Sequence, residues 1–202
     1  MKSLVVRSAF IFLAVVLLAA CGEETSILPK PRAYPRVIYP EGQAEPFKIE
    51  LCPFTFSKPS YAIVERDTAF FDEKPKDPCW FDLVTPSLNG RVHMSYYPVS
   101  SLEEYEELRD DAYELVGKHN VVANYIDEVL ISRPEANVSG FAFDIEGDVA
   151  SPFQFYISDS TSHFLRGSLY VRAKASSDSL APIYQFLRED VLELIESLAW
   201  EQ

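Results

Sequence analysis

Short runs of alternating apolar and polar residues recur along most of the chain, and this period of two predicts β-strands. The clearest run is 47–51, where Lys48 and Glu50 separate three apolar residues. Further strands are predicted at 36–39, 61–65, 80–84, 91–96, 139–146, 154–159 and 164–172. Because only short polar segments separate the last three, we expect them to form an antiparallel meander.

Between the two groups of strands, apolar residues repeat every three or four positions, which is the period of an α-helix. Ser101 and Glu104 have the spacing of a capping box, in which each residue satisfies a backbone N–H at the start of the helix. The helix is predicted to end between Gly117 and Asn120. Its apolar face contains Tyr105, Leu108, Ala112, Leu115, Val116 and His119.

A second helix is predicted after the meander. We expect Asp178 or Ser179 to cap it and Pro182 to lie in its first turn, where a missing N–H costs little. The helix is predicted to extend to Trp200 and to lie across the sheet, because burying about eight apolar side chains contributes roughly 12 to 24 kcal/mol before ordering costs. Those side chains are Leu180, Ile183, Tyr184, Leu187, Val191, Leu194, Ile195 and Leu198.

The connections complete the prediction of the fold class. Asn89-Gly90 is a strong hairpin signal before the strand at 91–96. Residues 121–131 fit either a helical turn that leads into a strand or one longer strand, and Pro134 ends it. The order of strands, helix, strands and helix predicts an α+β fold, in which helices cover at least one face of a single antiparallel sheet.

The N-terminal residues have a different pattern. Lys2 and Arg7 accompany an apolar run over residues 9–20, which is typical of an export signal. As a helix this run would span about 18 Å, which is short of the roughly 30 Å of a bilayer core. It ends in Leu-Ala-Ala-Cys, which matches the bacterial lipobox, so we expect cleavage before Cys21 and a lipid on its thiol. An ordinary signal peptide followed by a chance cysteine is the alternative.

The chain is therefore divided into three regions: a lipoprotein signal peptide at 1–20, a lipidated N-terminus with a proline-rich tether at 21–35, and a single α+β domain at 36–202. Two or three acyl chains such as palmitate would anchor the protein firmly, since each buried CH₂ contributes about 0.8 kcal/mol.

Acidic residues outnumber basic ones. The complete sequence has 18 lysines and arginines against 31 aspartates and glutamates. Removal of Lys2 and Arg7 with the signal leaves 16 against 31, a net charge of −15. Such a surface repels phosphate backbones, so nucleic acid is not an expected partner.

Two cysteines remain once Cys21 carries lipid. In an oxidising envelope compartment, Cys52 and Cys79 are predicted to form a disulfide. On the chain-entropy account this bond contributes about 3 to 4 kcal/mol. No metal or cofactor is predicted, because a metal site needs further ligands at suitable spacing and the histidines are dispersed singly: His93, His119 and His163.

Asp159, Ser160 and His163 are the residue types of a catalytic triad. A triad also needs an oxyanion hole and a defined geometry, and a turn capped by Asp159 explains the same residues. We favour the turn and assign no catalytic residue. The acidic side of the first helix is interpreted as a solvated face rather than a cation site; it contains Glu103, Glu104, Glu106, Glu107, Asp110 and Asp111.

Several short segments carry a family resemblance. They are LPKPRAYPR at 28–36, CPFTF at 52–56, CW at 79–80, QFY at 154–156, DST at 159–161, HFL at 163–165 and GSLY at 167–170. Together they resemble the gliding motility lipoprotein GldD family of the Bacteroidota over nearly the whole chain after Cys21. The order of elements is also similar to that of PsbP-like α/β/α domains, which commonly serve as assembly factors.

The resemblance implies a component needed for gliding and for secretion through the type IX system, with no assigned catalytic activity. We therefore predict a non-enzymatic accessory lipoprotein that binds other gliding and secretion machinery proteins. The candidate partner contacts are Tyr34, Trp80, His163 and Arg166.

Gly22 is not the aspartate that retains enterobacterial lipoproteins at the inner membrane, so we predict an outer-membrane protein that faces the periplasm, with the cell surface as the alternative. Two other functions stay open. One is a ligand-binding envelope lipoprotein with an apolar or carbohydrate pocket, suggested by an aromatic content of 13%. The other is an envelope hydrolase.

Overall fold

The structure is a computed structural model that describes residues 36–66, 77–172 and 177–201. The chain separates into two units, 1–32 and 33–202, and all described residues belong to the second. The predicted signal peptide and tether, together with Cys21 and Tyr34, lie outside the described residues.

Two antiparallel sheets contain the ten strands of the described residues. A three-stranded sheet has β2 (Phe54–Pro59) between β1 (Ala44–Lys48) and the short β10 (Ala199–Trp200). The other strands are β3 (Ile63–Arg66), β4 (Phe81–Thr85), β5 (Gly90–Pro98), β6 (Ala123–Arg133), β7 (Val138–Gly147), β8 (Phe153–Ser158) and β9 (His163–Val171). They form one sheet in the order β3-β4-β5-β9-β8-β7-β6, so β3 and β6 are its edges.

Two α-helices cover opposite faces of the seven-stranded sheet: α1 (Leu102–Gly117) and α2 (Ser177–Ser197). Side chains alternate between the faces of a strand, so β8 contributes Tyr156 to the cluster under α1 and Phe155 to the cluster under α2. The predicted α+β class is therefore confirmed, with an α/β/α arrangement of layers. The buried residues of α2 include Leu187, Val191 and Leu194, as its predicted apolar face requires, and Leu198, which directly follows the helix, is buried as well.

Several local predictions are confirmed. Strands β6 to β9 pair in succession as a meander, and a short 3₁₀ helix at Lys118–Val121 leads into β6. Asn89 takes the left-handed conformation that the hairpin between β4 and β5 requires, with φ of 51°. The Ser101 hydroxyl accepts from the Glu104 N–H at 3.1 Å. The Glu104 carboxylate, however, binds the backbone N–H of Ser100 rather than that of Ser101.

The prediction of a single sheet is wrong, because β1, β2 and β10 form a second one. The sequence analysis missed β2, which Pro53 and Pro59 bracket. Proline lacks an N–H and is usually read as the end of a strand, but at these two positions it only borders the pairing. The predicted strand at 47–51 lies three residues too late, since a turn at 50–51 leads into the cysteine that follows.

Two further boundaries are corrected. The predicted strand at 36–39 is absent, and Tyr39 instead packs its ring against Phe186 of α2, with centroids 4.8 Å apart. Helix α2 already includes Ser177, so neither Asp178 nor Ser179 caps it, and it ends at Ser197 rather than at Trp200. Ala199 and Trp200 pair instead with β2 and form the third strand of the small sheet.

Candidate functional site

The predicted disulfide is present between Cys52 and Cys79, whose Cα atoms are 5.4 Å apart. Both residues are buried in the cluster under α2. Cys52 follows β1 and Cys79 precedes β4, so the bond joins the small sheet to the large one. A cluster of ring side chains adjoins this junction: Trp80, Tyr96, Tyr97, His163 and Trp200.

Trp80 lies beside the disulfide and is only 7% exposed. Its indole Nε1 donates a 2.8 Å hydrogen bond to the backbone oxygen of Tyr96, and its ring packs edge-on against Tyr97. The prediction that Trp80 lies at a partner surface is therefore corrected: the indole is a buried link between β4 and β5.

His163 stands at the end of the same cluster and is half-buried. Its Nδ1 lies 2.8 Å from the hydroxyl of Tyr96, and its ring stacks on Trp200 with centroids 5.0 Å apart. Burial, reinforced by the carboxylates of Asp77 and Asp159, raises the pKa of Tyr96 to about 12. The Tyr96 hydroxyl therefore stays protonated at neutral pH and shares a hydrogen bond with the imidazole.

Asp159 organises the turn between β8 and β9. Its Oδ1 accepts the backbone N–H groups of Thr161, Ser162 and His163 at 2.8 to 3.0 Å. Partial burial raises the pKa of Asp159, but these backbone hydrogen bonds outweigh burial and hold the pKa below its ordinary value. The turn interpretation is confirmed, because the Asp159 carboxylate is occupied by the turn.

Arg166 and His163 do not form a common site. They are three positions apart in β9, so their side chains project from opposite faces of the sheet. Arg166 pairs across the sheet with Tyr156 on the α1 side, whereas His163 contacts Tyr96 on the α2 side. A partner could contact both residues only by reaching around the sheet.

A charged cluster that the sequence analysis missed lies on the α1 side of β4 and β5. Asp82 Oδ1 is 2.5 Å from His93 Nδ1, and Asp82 also pairs with Arg91, which reaches Glu65 Oε2 at 2.9 Å. Burial raises the pKa of Asp82, but His93 and Arg91 outweigh it and lower the pKa. The hairpin register, which sets Asp82 opposite His93, was the signal that could have found the cluster.

A carboxylate and an imidazole in this arrangement can act as a general base when a nucleophile lies within hydrogen-bond distance of the imidazole. Ser95, on the same face of β5, is the nearest candidate in sequence, and its buried hydroxyl makes no hydrogen bond to His93. The cluster links charged side chains across β3, β4 and β5.

A small cavity lies between α2 and the large sheet, with a volume of about 10 Å³. Asp190 and Val191 of α2 line it, and the Tyr61 hydroxyl donates to Asp190 at 2.8 Å. Burial, reinforced by Glu193 and Glu189, raises the pKa of Asp190 to about 6 even though Tyr61 opposes this shift. The cavity has room for a single water at most, so it does not serve the apolar or carbohydrate ligand of the alternative function.

Within residues 36–66, 77–172 and 177–201, no three histidine, cysteine, aspartate or glutamate side chains are grouped so that they could hold a metal ion. None of the described helices combines the length and the apolar character needed to cross a membrane.

The profile of the family described as gliding motility lipoprotein GldD matches residues 24–200. The chain belongs to this family. The match covers both sheets, both helices and the disulfide, and it confirms the resemblance carried by the short segments listed above. As a gliding motility lipoprotein, the chain is associated with the cell envelope.

Among solved structures, this GldD-family chain is similar to the solution structure of cyanobacterial PsbP (CyanoP) from Synechocystis sp. PCC 6803. The identity is 6% and the TM-score is 0.47, over 80% of this chain and 94% of that one. No curated protein matches the sequence.

Apolar side chains are also exposed on this gliding motility lipoprotein. Among the described residues, the large apolar side chains with the greatest exposed fractions are Val121 (90%), Ile38 (84%), Leu102 (67%), Leu130 (65%), Leu51 (60%) and Tyr125 (58%). Val129 is 44% exposed, so three of the exposed apolar residues belong to the single strand β6.

Proposed function

We propose that this protein is a non-enzymatic accessory lipoprotein of the outer membrane, anchored by acyl chains on Cys21 and facing the periplasm. It supports gliding and type IX secretion by binding other proteins of that machinery. The family match over residues 24–200 carries the proposal, because it includes nearly all of the tether and the whole described domain.

The side-chain chemistry of the domain supports binding rather than catalysis. The Asp159 carboxylate is occupied by backbone N–H groups and the Asp82 carboxylate by His93 and Arg91. The polar groups that a hydrolase would direct at a substrate therefore stabilise the fold. Tyr34, His163 and Arg166 stay predicted partner contacts.

Deletion of the gene in a gliding bacterium tests the function. We expect both spreading and export of a type IX substrate to be lost, and restored by the unaltered gene. Cys21→Ser should not restore either activity and should release the protein from the membrane fraction, since the lipid is its anchor. Ser26→Ala, five residues further along the tether, is the matched control and should restore both.

Each outcome separates one part of the proposal. Export that continues in the deletion strain would contradict the secretion role, while spreading that continues would contradict the gliding role. If Ser160→Ala abolished export although the variant protein folded normally, the non-enzymatic assignment would be wrong.

A further inference from the structure

Two of the sheet edges carry features that prevent pairing with another chain. β3 has only four residues and ends in Glu65 and Arg66. β1 has five residues, contains Pro46, and ends at Lys48, which pairs with Glu201 at 2.6 Å. Short length, charge and proline are the usual protections of an exposed edge.

The other edge of the large sheet, β6, is neither short nor interrupted by proline. It is eleven residues long and contains neither proline nor lysine. Its pairing with β7 is interrupted only between Ala123 and Tyr125, and continues in regular register to Arg133. One row of its backbone N–H and C=O groups faces β7, and no described strand pairs with the other row.

β6 also exposes apolar side chains on both faces of the sheet. Val129 pairs with Ala142 on the α2 side and is 44% exposed, whereas Leu130 pairs with Phe141 on the α1 side and is 65% exposed. Apolar residues on both faces are typical of a strand that is covered on both faces, whereas these two side chains of β6 are exposed.

The exposed charged residues of this edge are acidic. Asp127 and Glu128, next to Val129, are both exposed, and Glu128 already accepts a hydrogen bond from Tyr113 of α1 at 2.6 Å. A strand laid along β6 would place side chains directly opposite these carboxylates. Lysine or arginine is favoured there, and a carboxylate is disfavoured.

The only basic residue of β6 does not offset this acidity. Arg133 is half-buried, and its Nη1 donates to the backbone oxygens of Ile195 and Leu198 at 2.9 and 2.8 Å. Its guanidinium therefore interacts with the backbone carbonyl groups at the C-terminal end of α2, where unpaired carbonyl groups attract a cation. The exposed charged side chains of β6 are therefore those of Asp127 and Glu128.

We propose that an extended segment of a partner protein, with alternating apolar residues and at least one lysine or arginine, adds to β6 as an eighth strand. Main-chain hydrogen bonds supply affinity in this mode of recognition, and the side chains supply specificity. Val129 and Leu130 pack against the apolar residues of the segment, and Asp127 and Glu128 select the basic one. The proposal rests on the proposed function only in taking the partner from the gliding and secretion machinery.

Photocrosslinking in gliding cells tests the docking edge. A benzoylphenylalanine at position 130 of the full chain should crosslink to one protein, through an extended segment that contains lysine or arginine. The matched control carries the same group at position 38, where Ile38 is 84% exposed and outside any strand. Crosslinks to a second copy, to lipid, to residues 21–35 of the same chain, or no stronger than the control would overturn the proposal.

Charge reversal tests the chemistry of the segment. Asp127→Lys with Glu128→Lys should reduce the crosslink about tenfold or more, because like charges facing each other at an interface cost more than about 1.4 kcal/mol. An undiminished crosslink would overturn the basic segment. The double variant also loses the hydrogen bond from Tyr113 to Glu128, so Asp127→Lys alone, at an exposed residue, is the second variant and should weaken the crosslink with unchanged thermal unfolding.

Leu130→Lys places a cation on the edge itself and should abolish spreading, whereas Ile38→Lys should not. Equal behaviour of the two variants would overturn the docking edge and leave the proposed function intact. Spreading that survives complete deletion would instead contradict the proposed function.

Discussion

At the scale of single residues, two aspartates show how the same side chain can favour opposite ends of the pH range. Asp190 is half-buried against Tyr61, and its pKa is raised to about 6. Asp159 accepts three backbone N–H groups, and its pKa is lowered. Each shift makes a prediction about stability.

Because the pKa of Asp190 is higher in the folded chain than its ordinary value near 4, its neutral form stabilises the fold. That contribution is complete below about pH 4 and is lost as the pH rises through about 6. Asp190→Asn keeps an acceptor for the Tyr61 hydroxyl and removes the charge. We expect it to raise the free energy of unfolding at pH 8 by about 1 to 2 kcal/mol, because solvent screening reduces the roughly 3 kcal/mol that the full pKa difference would give, with no gain at pH 4.

Urea unfolding at pH 4, 6 and 8 measures this effect. Glu196→Gln is the control, because Glu196 is an exposed carboxylate of the same helix. A variant at position 190 that is less stable than the unaltered chain at pH 8 would contradict the raised pKa.

The pKa of Asp159 is shifted in the opposite direction to that of Asp190. Its lowered pKa means that the carboxylate stabilises the fold above its unfolded pKa, and that this stability is lost as the pH falls through the lower folded pKa. Asp159→Ala should cost about 1.5 to 3 kcal/mol at pH 7, the usual value of hydrogen bonds to a charged group. Ser162→Ala, which changes only an exposed side chain of the same turn, should cost almost nothing. If the cost at position 159 were the same at pH 2 as at pH 7, the charge would not be its cause.

At the scale of elements, the pairing of β7 with β8 depends on one glycine. A Cβ at Gly140 would lie 2.0 Å from the backbone oxygen of Tyr156 and 2.9 Å from Cα of Ile157. Backbone atoms cannot move aside as a flexible side chain can. Gly140→Ala should therefore lower the free energy of unfolding by more than about 3 kcal/mol, the upper end of ordinary overpacking.

Gly117→Ala is the matched control in this case. The nearest atom to its added Cβ is 3.8 Å away, in the side chain of Asn120. Alanine is the better helix former, so this variant should gain up to about 1 kcal/mol at the end of α1. Equal losses from the two variants, measured by urea unfolding, would show that the close contact at Gly140 is not decisive.

The disulfide makes a second prediction at the scale of elements, because it joins the small sheet to β4. Replacing Cys52 and Cys79 together by alanine should cost about 3 to 4 kcal/mol. Amide exchange should accelerate most in β1 and β2, which the large sheet would then hold less firmly. Uniform acceleration across β5, β8 and β9 would mean that the bond acts on the whole fold instead.

At the scale of the whole molecule, the α+β class could be predicted because side-chain periodicity is a local property. The apolar run at 155–157 and the three- and four-residue steps in α2 each lie within one element. The sequence could not predict which strands pair when they are far apart along the chain. β2 and β10 are recognisable only when Thr55 meets Ala199, and the ion pair of Asp82 with Arg91 needs the register of two strands.

The same limit applied to the candidate contacts. Trp80 was placed at the surface because an aromatic residue beside a cysteine has no burial signal of its own. The β6 edge was not recognised because residues 121–131 were ambiguous. Whether a strand lies at an edge depends on the order of strands in the sheet, and no single segment of the sequence predicts that order.

Net charge predicts how the whole molecule meets a membrane. With 16 basic against 31 acidic residues after the signal is removed, the chain should be repelled by anionic headgroups. The unacylated chain that begins at residue 21 should therefore stay in the supernatant of phosphatidylglycerol vesicles, and the acylated chain should sediment with them. Sedimentation of the unacylated chain would show that Cys21 is not the principal anchor.

The pairing of Ala199 with Thr55 bears on the order in which the chain can mature. If the protein crosses the inner membrane N-terminus first, as the predicted export signal implies, the segment containing Thr55 emerges long before its last neighbour. Throughout that interval the incomplete small sheet offers its open side to whatever else is in the periplasm. A chaperone that holds nascent envelope proteins would be most needed during that delay.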